Sequence, residues 1–314
     1  MSRVWQSCAE SMDESRYQWK LLRAGRLLLD GGGMFGVVPR VVWSRFFTPD
    51  ERNRITLAHN CLLLSNDQHT VLIEAGSSQT LDPKMREIFG LEDYHIHNAI
   101  EQAGSRCEDV DHVILSHLHF DHAGGLVRWA RHGGGSERTF PNARVVVQRR
   151  EWEDAVASRS VMTRTYYRNH LDPIRQRLRL VESTPPFLPG QQLDRDQLPA
   201  IPLQQRVTPV LPGIEVFLAP GHTWGQQAVK FTDQRGRTVV FTPDVMPTIH
   251  HVGAAYSLAY DVEPYTSMLT RHWFLLDAAK YDWLLVLDHE PGNPCVRVRP
   301  DEKGWYKLVP ESIE

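Results

Sequence analysis

The sequence predicts an α+β fold: a four-layer αβ/βα sandwich, with two facing mixed sheets and helices on the outer faces. Three observations predict it. Each half of the chain offers several apolar runs of strand length and then segments with helical spacing. Several of those runs end in a side chain able to bind a metal, after Leu115, Leu218, Phe241 and Leu287. No short-period repeat divides the 314 residues, and with 41% of them hydrophobic one substantial core is within reach. The expected organisation is a flexible segment over 1–16 and a single domain over 17–314.

Taken in order, Tyr17 to Leu29 reads as a strand or hairpin, followed by the glycine-rich turn Asp30 to Gly36. That turn lacks the lysine and Ser/Thr of a P-loop, so it reads as a turn near a site edge. Pro39 to Asn53 reads as a helix plus loop. Asn60–Leu64 and Thr70–Glu74 read as strands joined through Asn66-Asp67-Gln68. Two short helices fill Leu81 to Ala103, and Val113–Leu115 is the next strand. A helix over Gly125–Arg131, a strand over Arg144–Gln148 and a polar helical stretch from Arg150 to about Leu180 follow. The proline-rich run from Ser183 to Pro202 is a candidate lid or a surface connection. Strands are expected over Gln205–Pro209, Ile214–Leu218, Gln227–Thr232 and Thr238–Phe241, then a helix over Tyr265–Lys280 and a last strand over Trp283–Leu287.

A net charge of −3 gives no reason to expect nucleic acid or an anionic membrane as partner. The four cysteines, Cys8, Cys61, Cys107 and Cys295, form no CxxC pair, which argues against a disulfide framework or a cysteine zinc site. Met1 to Trp19 lacks the apolar core of a signal peptide, and no apolar stretch reaches the length of a membrane span. The expected compartment is the cytoplasm.

Chemistry concentrates in Ser116-His117-Leu118-His119-Phe120-Asp121-His122-Ala123-Gly124-Gly125. Four potential ligands fall within six residues, where a strand feeds a sharp turn that opens a helix. Neutral imidazoles and a carboxylate suit Zn²⁺ and related first-row metals. A dinuclear site needs more donors, and the later strand ends offer His222, Asp244 and His289, the last flanked by Asp288 and Glu290 as competitors. His250 and His251 read as pocket residues or as supports for the ligands. The other histidines lie in contexts without convergence.

His117-Leu118-His119-Phe120-Asp121-His122 resembles the HxHxDH signature of the metallo-β-lactamase fold hydrolases, and His222, Asp244 and His289 follow in that superfamily's order. The resemblance covers about residues 17 to 300. Within the superfamily the motifs look most like the quorum-quenching N-acyl-homoserine-lactone lactonases and the methyl parathion hydrolase-like group. It implies two divalent metal ions, Zn²⁺ first with Fe, Mn or Co possible. His117, His119 and His222 would hold one metal, Asp121, His122 and His289 the other, with Asp244 bridging. It also implies a metal-bridging hydroxide that opens a lactone or cleaves another carboxylic ester, with Asp121 as general acid. Asp30, Glu74 and Ser116 are candidates to orient the imidazoles. Two positions depart from the lactonase pattern. Trp224-Gly225-Gln226 follows Gly221-His222-Thr223, and Pro247 stands where the lactonases carry a tyrosine, so that Tyr256 or Tyr260 would have to replace it.

The expected pocket is apolar, drawn from Met34, Phe35, Phe120, Trp224, His251 and Tyr256, and suits a small-molecule substrate with an apolar portion. A homodimer is compatible with the chain. Competing readings are a thioesterase of the glyoxalase II or acyl-CoA type, with Arg40, Arg45 and Arg164 to Arg177 supplying a cationic surface, a phosphotriester hydrolase on the same site, and a metal-containing sensor without turnover.

Overall fold

The computed structural model describes residues 15–157, 164–188, 191, 193–194, 197 and 201–313. In the first half, β1 (Arg16–Asp30), β2 (Arg54–Ser65), β3 (Thr70–Ile73) and β4 (His112–Ile114) precede a hairpin, β5 (Val127–Trp129) and β6 (Ser136–Arg138), then β7 (Arg144–Gln148) and β8 (Leu178–Val181). The sheet order is β1-β2-β3-β4-β7-β8, with the hairpin apart. In the second half, β9 (Thr208–Leu211), β10 (Ile214–Leu218), β11 (Gln227–Asp233), β12 (Thr238–Thr242), β13 (Leu284–Leu287), β14 (Cys295–Pro300) and β15 (Tyr306–Pro310) follow one another in both chain and sheet order. The pairs β3–β4, β4–β7, β7–β8 and β12–β13 are parallel, while β1–β2 and β10–β11 are antiparallel, so both sheets are mixed. One strand serves both halves. Arg16 and Tyr17 of β1 pair with Thr232 and Asp233 of β11, and the rest of β1 pairs with β2.

The period of two along each strand builds the layers. Leu62, Leu64, Val71, Ile73, Ile114 and Val146 face inward and pack with Val229, Phe231, Val239, Phe241, Leu284 and Val286 of the other sheet. Their alternates Leu63, Leu72, Val113 and Val145 face outward, against Ile96 and Ile100 of the helix Ile96–Gln102 and Trp152 of the helix Arg149–Ala157. Leu285 and Leu287 pack outward on Trp273 and Phe274 of the helix Pro264–Lys280. Burying each such side chain contributes roughly 1.5–3 kcal/mol. This is the four-layer αβ/βα sandwich expected from the sequence, with two facing mixed sheets and helices outside.

Several elements differ from the expectation. The segment expected as a helix over Gly125–Arg131 turns through a 3₁₀ step, Gly124–Leu126, into β5, because Val127 and Trp129 pair with Arg138 and Ser136. The polar stretch after Arg150 ends in β8. The expected last strand, β13, is followed by two more. Cys295-Val296-Arg297-Val298-Arg299 alternates enough to have been read as one of them, and Arg297 and Arg299 both pair with Asp282. The lid expectation falls partly outside the described residues. Within them, Phe187 and Leu193 pack with Leu203 and Trp273 in the outer core of the second half. The flexible segment expected over 1–16 lies outside the described residues except for Ser15 and Arg16, and Arg16 already belongs to β1. Cys61, Cys107 and Cys295 are buried free thiols. No helix among the described residues is long and apolar enough to cross a membrane.

Candidate metal centre

The centre forms where the two sheets bring their strand ends together, the position at which parallel strands leave a crevice. Past the end of β4 the chain turns through Ser116 and His117 into the short helix Phe120–Ala123. Glu74, just past β3, holds this turn from below. It accepts hydrogen bonds from the Ser116 amide and, at 3.0 Å, from His122 Nδ1. Glu74 sits at φ 67°, the left-handed region, a strain of the kind found at sites held by their surroundings. The turn closes tightly because Gly125 has no side chain: a Cβ there would lie 2.0 Å from the Ala75 carbonyl oxygen. The second half meets this turn directly. Gln227 donates its amide to the Ser116 carbonyl and its side chain to the Leu115 carbonyl. Asn60 of β2 reaches across to the carbonyls of Leu287 and Glu290 beside His289.

Two clusters of donors result. In the first, atoms of His117, His119, His222 and Asp244 lie within 4.8 Å of one another, and in the second those of His122, Asp244, Asp288 and His289 do. Asp244 belongs to both. Its Oδ2 stands 3.1 Å from His222 Nε2, 3.5 Å from His122 Nε2 and 3.7 Å from His117 Nε2, while Oδ1 stands 3.3 Å from His289 Nε2. His222 Nε2 lies 3.0 Å from His119 Nδ1, and His289 Nε2 lies 3.2 Å from His122 Nε2. Asp121 closes on the second cluster, with 3.7 Å from Oδ2 to His289 Nε2 and 3.9 Å from Oδ1 to His122 Nε2. Ligands bound tetrahedrally at about 2.0–2.1 Å stand roughly 3.3 Å apart, which these spacings bracket. All seven candidate ligands are buried, and His117 Nε2 and Asp244 Oδ1 have no hydrogen-bond partner. Buried orphans of this kind, in an imidazole and carboxylate set, fit two divalent ions.

The outward nitrogens of four of the five imidazoles are engaged, those of His117, His122, His222 and His289, while His119 Nε2 has no hydrogen-bond partner. His117 Nδ1 meets Ser116 Oγ at 3.0 Å, His222 Nδ1 meets Asp261 Oδ1 at 3.0 Å, and His289 Nδ1 donates to the Ala58 carbonyl at 2.9 Å. Each bond to an oxygen acceptor leaves the other ring nitrogen free to bind a metal. Of the supports considered from sequence, Glu74 and Ser116 hold candidate ligands, His122 and His117. Asp30 instead caps the helix Gly31–Phe35 through the Gly33 amide. Asp261 and the Ala58 carbonyl carry no sequence signal.

Burial drives His117 and His119 well below the ordinary imidazole value, and the neighbouring imidazoles reinforce it, so both are neutral donors. At His222 burial opposes the charged form, but Asp244 and Asp261 outweigh it and lift the value to about 10. Burial likewise opposes charge on His122, where Asp121 and Glu74 override it. Burial alone would raise Asp244, yet His222 and His289 hold it well below the usual carboxylate range.

Beneath the first cluster, Glu151 of the helix Arg149–Ala157 is fully buried. It accepts from the Leu118 amide at 3.0 Å, Tyr166 Oη at 3.1 Å and Thr223 Oγ1 at 2.6 Å. It thereby locks the first-half turn to the loop that carries His222.

A cavity of about 110 Å³ opens onto the centre between Met34, Phe89, Phe120, Leu258 and Tyr260, with His119, His222 and His289 at its floor. Of the pocket residues expected from sequence, Met34 and Phe120 line it. The other four do not. Phe35 is buried behind Met34, stacked 4.7 Å from His251 and 5.8 Å from Trp43. His251 donates from Nε2 to the Met34 carbonyl and meets Thr248 with Nδ1, so it is a framework residue; burial lowers it to about 3. Tyr256 packs edge-on against Phe35. Trp224 turns outward beneath the Arg150 guanidinium. The tyrosine at the cavity is Tyr260. A Cβ on Gly33 would lie 2.1 Å from its hydroxyl, so the glycine-rich turn makes room for it. Pro247 contributes its carbonyl to the His289 amide.

Fold and centre together define a metal-dependent hydrolase. The chain belongs to the metallo-β-lactamase superfamily, whose model matches residues 54–289. It is similar to an N-acyl homoserine lactonase from a Bacillus species, 26% identical over 72% of this chain and 74% of that one. Among solved structures it is similar to a probable metal-dependent hydrolase from Staphylococcus aureus, with a TM-score of 0.77, 26% identity and coverage of 96% and 100% of the two chains. AidC, a dizinc quorum-quenching lactonase, shares the fold at a TM-score of 0.70 and 16% identity, with 96% and 99% covered.

Proposed function

We propose that this protein is a dinuclear hydrolase that opens a lactone or cleaves another carboxylic ester on a small molecule with an apolar portion. The observation that carries the reading is the apolar cavity set directly over two donor clusters that share Asp244. The relatives named as lactonases support the same choice. His117, His119 and His222 would hold one ion and Asp121, His122 and His289 the other, with Asp244 bridging. Bound divalent ions, Zn²⁺ first, supply an activated water at neutral pH and polarise the substrate carbonyl.

The remaining roles belong to the chain. Phe89 and Phe120 stack at 4.5 Å and offer an apolar wall to an acyl chain. The Tyr260 hydroxyl, pushed up to about 12 by burial with Asp30, Asp121 and Asp244 adding to it, stays a hydrogen-bond donor at neutral pH and orients the carbonyl. Asp121 takes up the proton that the attacking water gives off and passes it to the leaving alkoxide. No Lys or Arg lines the cavity among the described residues, which favours a neutral acyl substrate over a glutathione or CoA thioester.

The test is turnover by metal-loaded protein across N-acyl homoserine lactones, aryl esters, thioesters and phosphotriesters, with Asp121→Asn and His122→Ala as controls. The reading expects lactones or esters to be hydrolysed and both variants to lose the activity. Silence on lactones and esters alike, with two metals bound, overturns it.

A further inference from the structure

We infer that Asp288 is a further protein ligand of the second metal, making that position richer in carboxylate than the first. This rests on the dinuclear reading above.

Asp288 is 2% exposed, and neither of its carboxylate oxygens has a hydrogen-bond partner. An ionised carboxylate in that state is costly unless a cation neutralises it. One of its oxygens belongs to the cluster in which the donor atoms of His122, Asp244 and His289 all lie within 4.8 Å of one another. The backbone that carries it is held on both sides. The Asp288 amide donates to the Thr242 carbonyl at 3.3 Å, and its carbonyl accepts from the Asn60 amide at 2.9 Å. The other acid beside His289 is spent elsewhere: Glu290 accepts from the amides of Ile249 at 3.1 Å and Gly292 at 2.7 Å. Asp244 Oδ1, in the same cluster, is also without a partner. Two buried carboxylates side by side call for positive charge between or beside them.

The consequence is an asymmetric centre. The first position draws on three imidazoles and one carboxylate. The second draws on His122 and His289 with Asp121, Asp244 and Asp288. Harder oxygen donors favour Mn²⁺ or Fe²⁺ relative to the imidazole-rich position, which suits Zn²⁺.

The test counts metals in the full-length protein. Wild type, Asp288→Asn and Asp288→Ala are stripped, reloaded with Zn²⁺ or Mn²⁺, and analysed for metal per chain and by Mn²⁺ paramagnetic resonance. The expected result is two ions in wild type, with a spin-coupled Mn²⁺ pair. Both variants should bind the second ion at least tenfold more weakly and give the signal of an isolated Mn²⁺. Circular dichroism of the near-isosteric Asp288→Asn variant establishes that the fold is retained. Two ions bound with unchanged affinity in both variants overturn the assignment, as they would if Asp288 merely shared a proton with Asp244. Wild type that holds two ions but hydrolyses no ester removes the functional reading and leaves the ligand assignment standing. Wild type that never takes up a second ion removes the dinuclear premise itself.

Discussion

Asp261 grips His222 from behind: Oδ1 meets Nδ1 at 3.0 Å, while Oδ2 accepts the Leu258 amide at 3.2 Å. The carboxylate is fixed at both oxygens, so it dictates the imidazole's tautomer and aims Nε2 at Asp244 and His119. Asp261→Ala should weaken metal retention at the first position by about 10–100-fold. Competition with a chromogenic chelator measures it, and unchanged retention would show that the ring is held by packing alone.

Metal uptake by the stripped protein should depend on pH. His222 is raised to about 10 and His122 also lies well above the ordinary value, so both are protonated at neutral pH without metal. An incoming ion must displace the proton on each Nε2. Apparent affinity should therefore fall as pH falls, by about tenfold per unit for each proton displaced. Calorimetry in buffers of different ionisation enthalpy counts the protons released; none released contradicts the prediction.

Glu151 holds three donors with no solvent to replace it. Glu151→Ala leaves the Leu118 amide, Tyr166 and Thr223 without an acceptor and should destabilise the metal-free protein by about 3 kcal/mol. Urea denaturation reads the change directly. A variant as stable as wild type would mean that water fills the gap.

Tyr260 and the apolar wall should separate in kinetics. Tyr260→Phe is expected to lower kcat on the order of a hundredfold while KM stays close to wild type. Gly33→Ala should mimic it by displacing the hydroxyl it would strike. Phe89→Ala should instead raise KM by about tenfold for long acyl chains and little for short ones. Identical effects of all three variants on kcat and KM would argue against this division of roles.

The ligand run is legible in the sequence because its donors are neighbours there and a strand end leaves few directions for them. The sandwich is legible because period-two runs such as Leu62 to Leu64 carry both core faces at once. The pocket is less so. His251 and Phe35 read as lining residues, yet which way they face is decided by contacts far apart in the chain: His251 is held by the Met34 carbonyl, 217 residues away, and stacks on Phe35. Asp261 supports a candidate ligand 39 residues away, and Glu151 accepts from Thr223, 72 residues away beside His222, with no local pattern to mark either. Helix was expected at Val127 because a short apolar run suits both helix and strand, and pairing with Arg138 decided the outcome.

The donors stretch from His117 to His289 and come from both sheets, which are stitched at the same place by Asn60 and Gln227. Such long closures are slow to form and gain nothing until both sheets exist. The complete donor set therefore exists only once both halves have formed and met, so full occupancy of the centre would report that they have found each other.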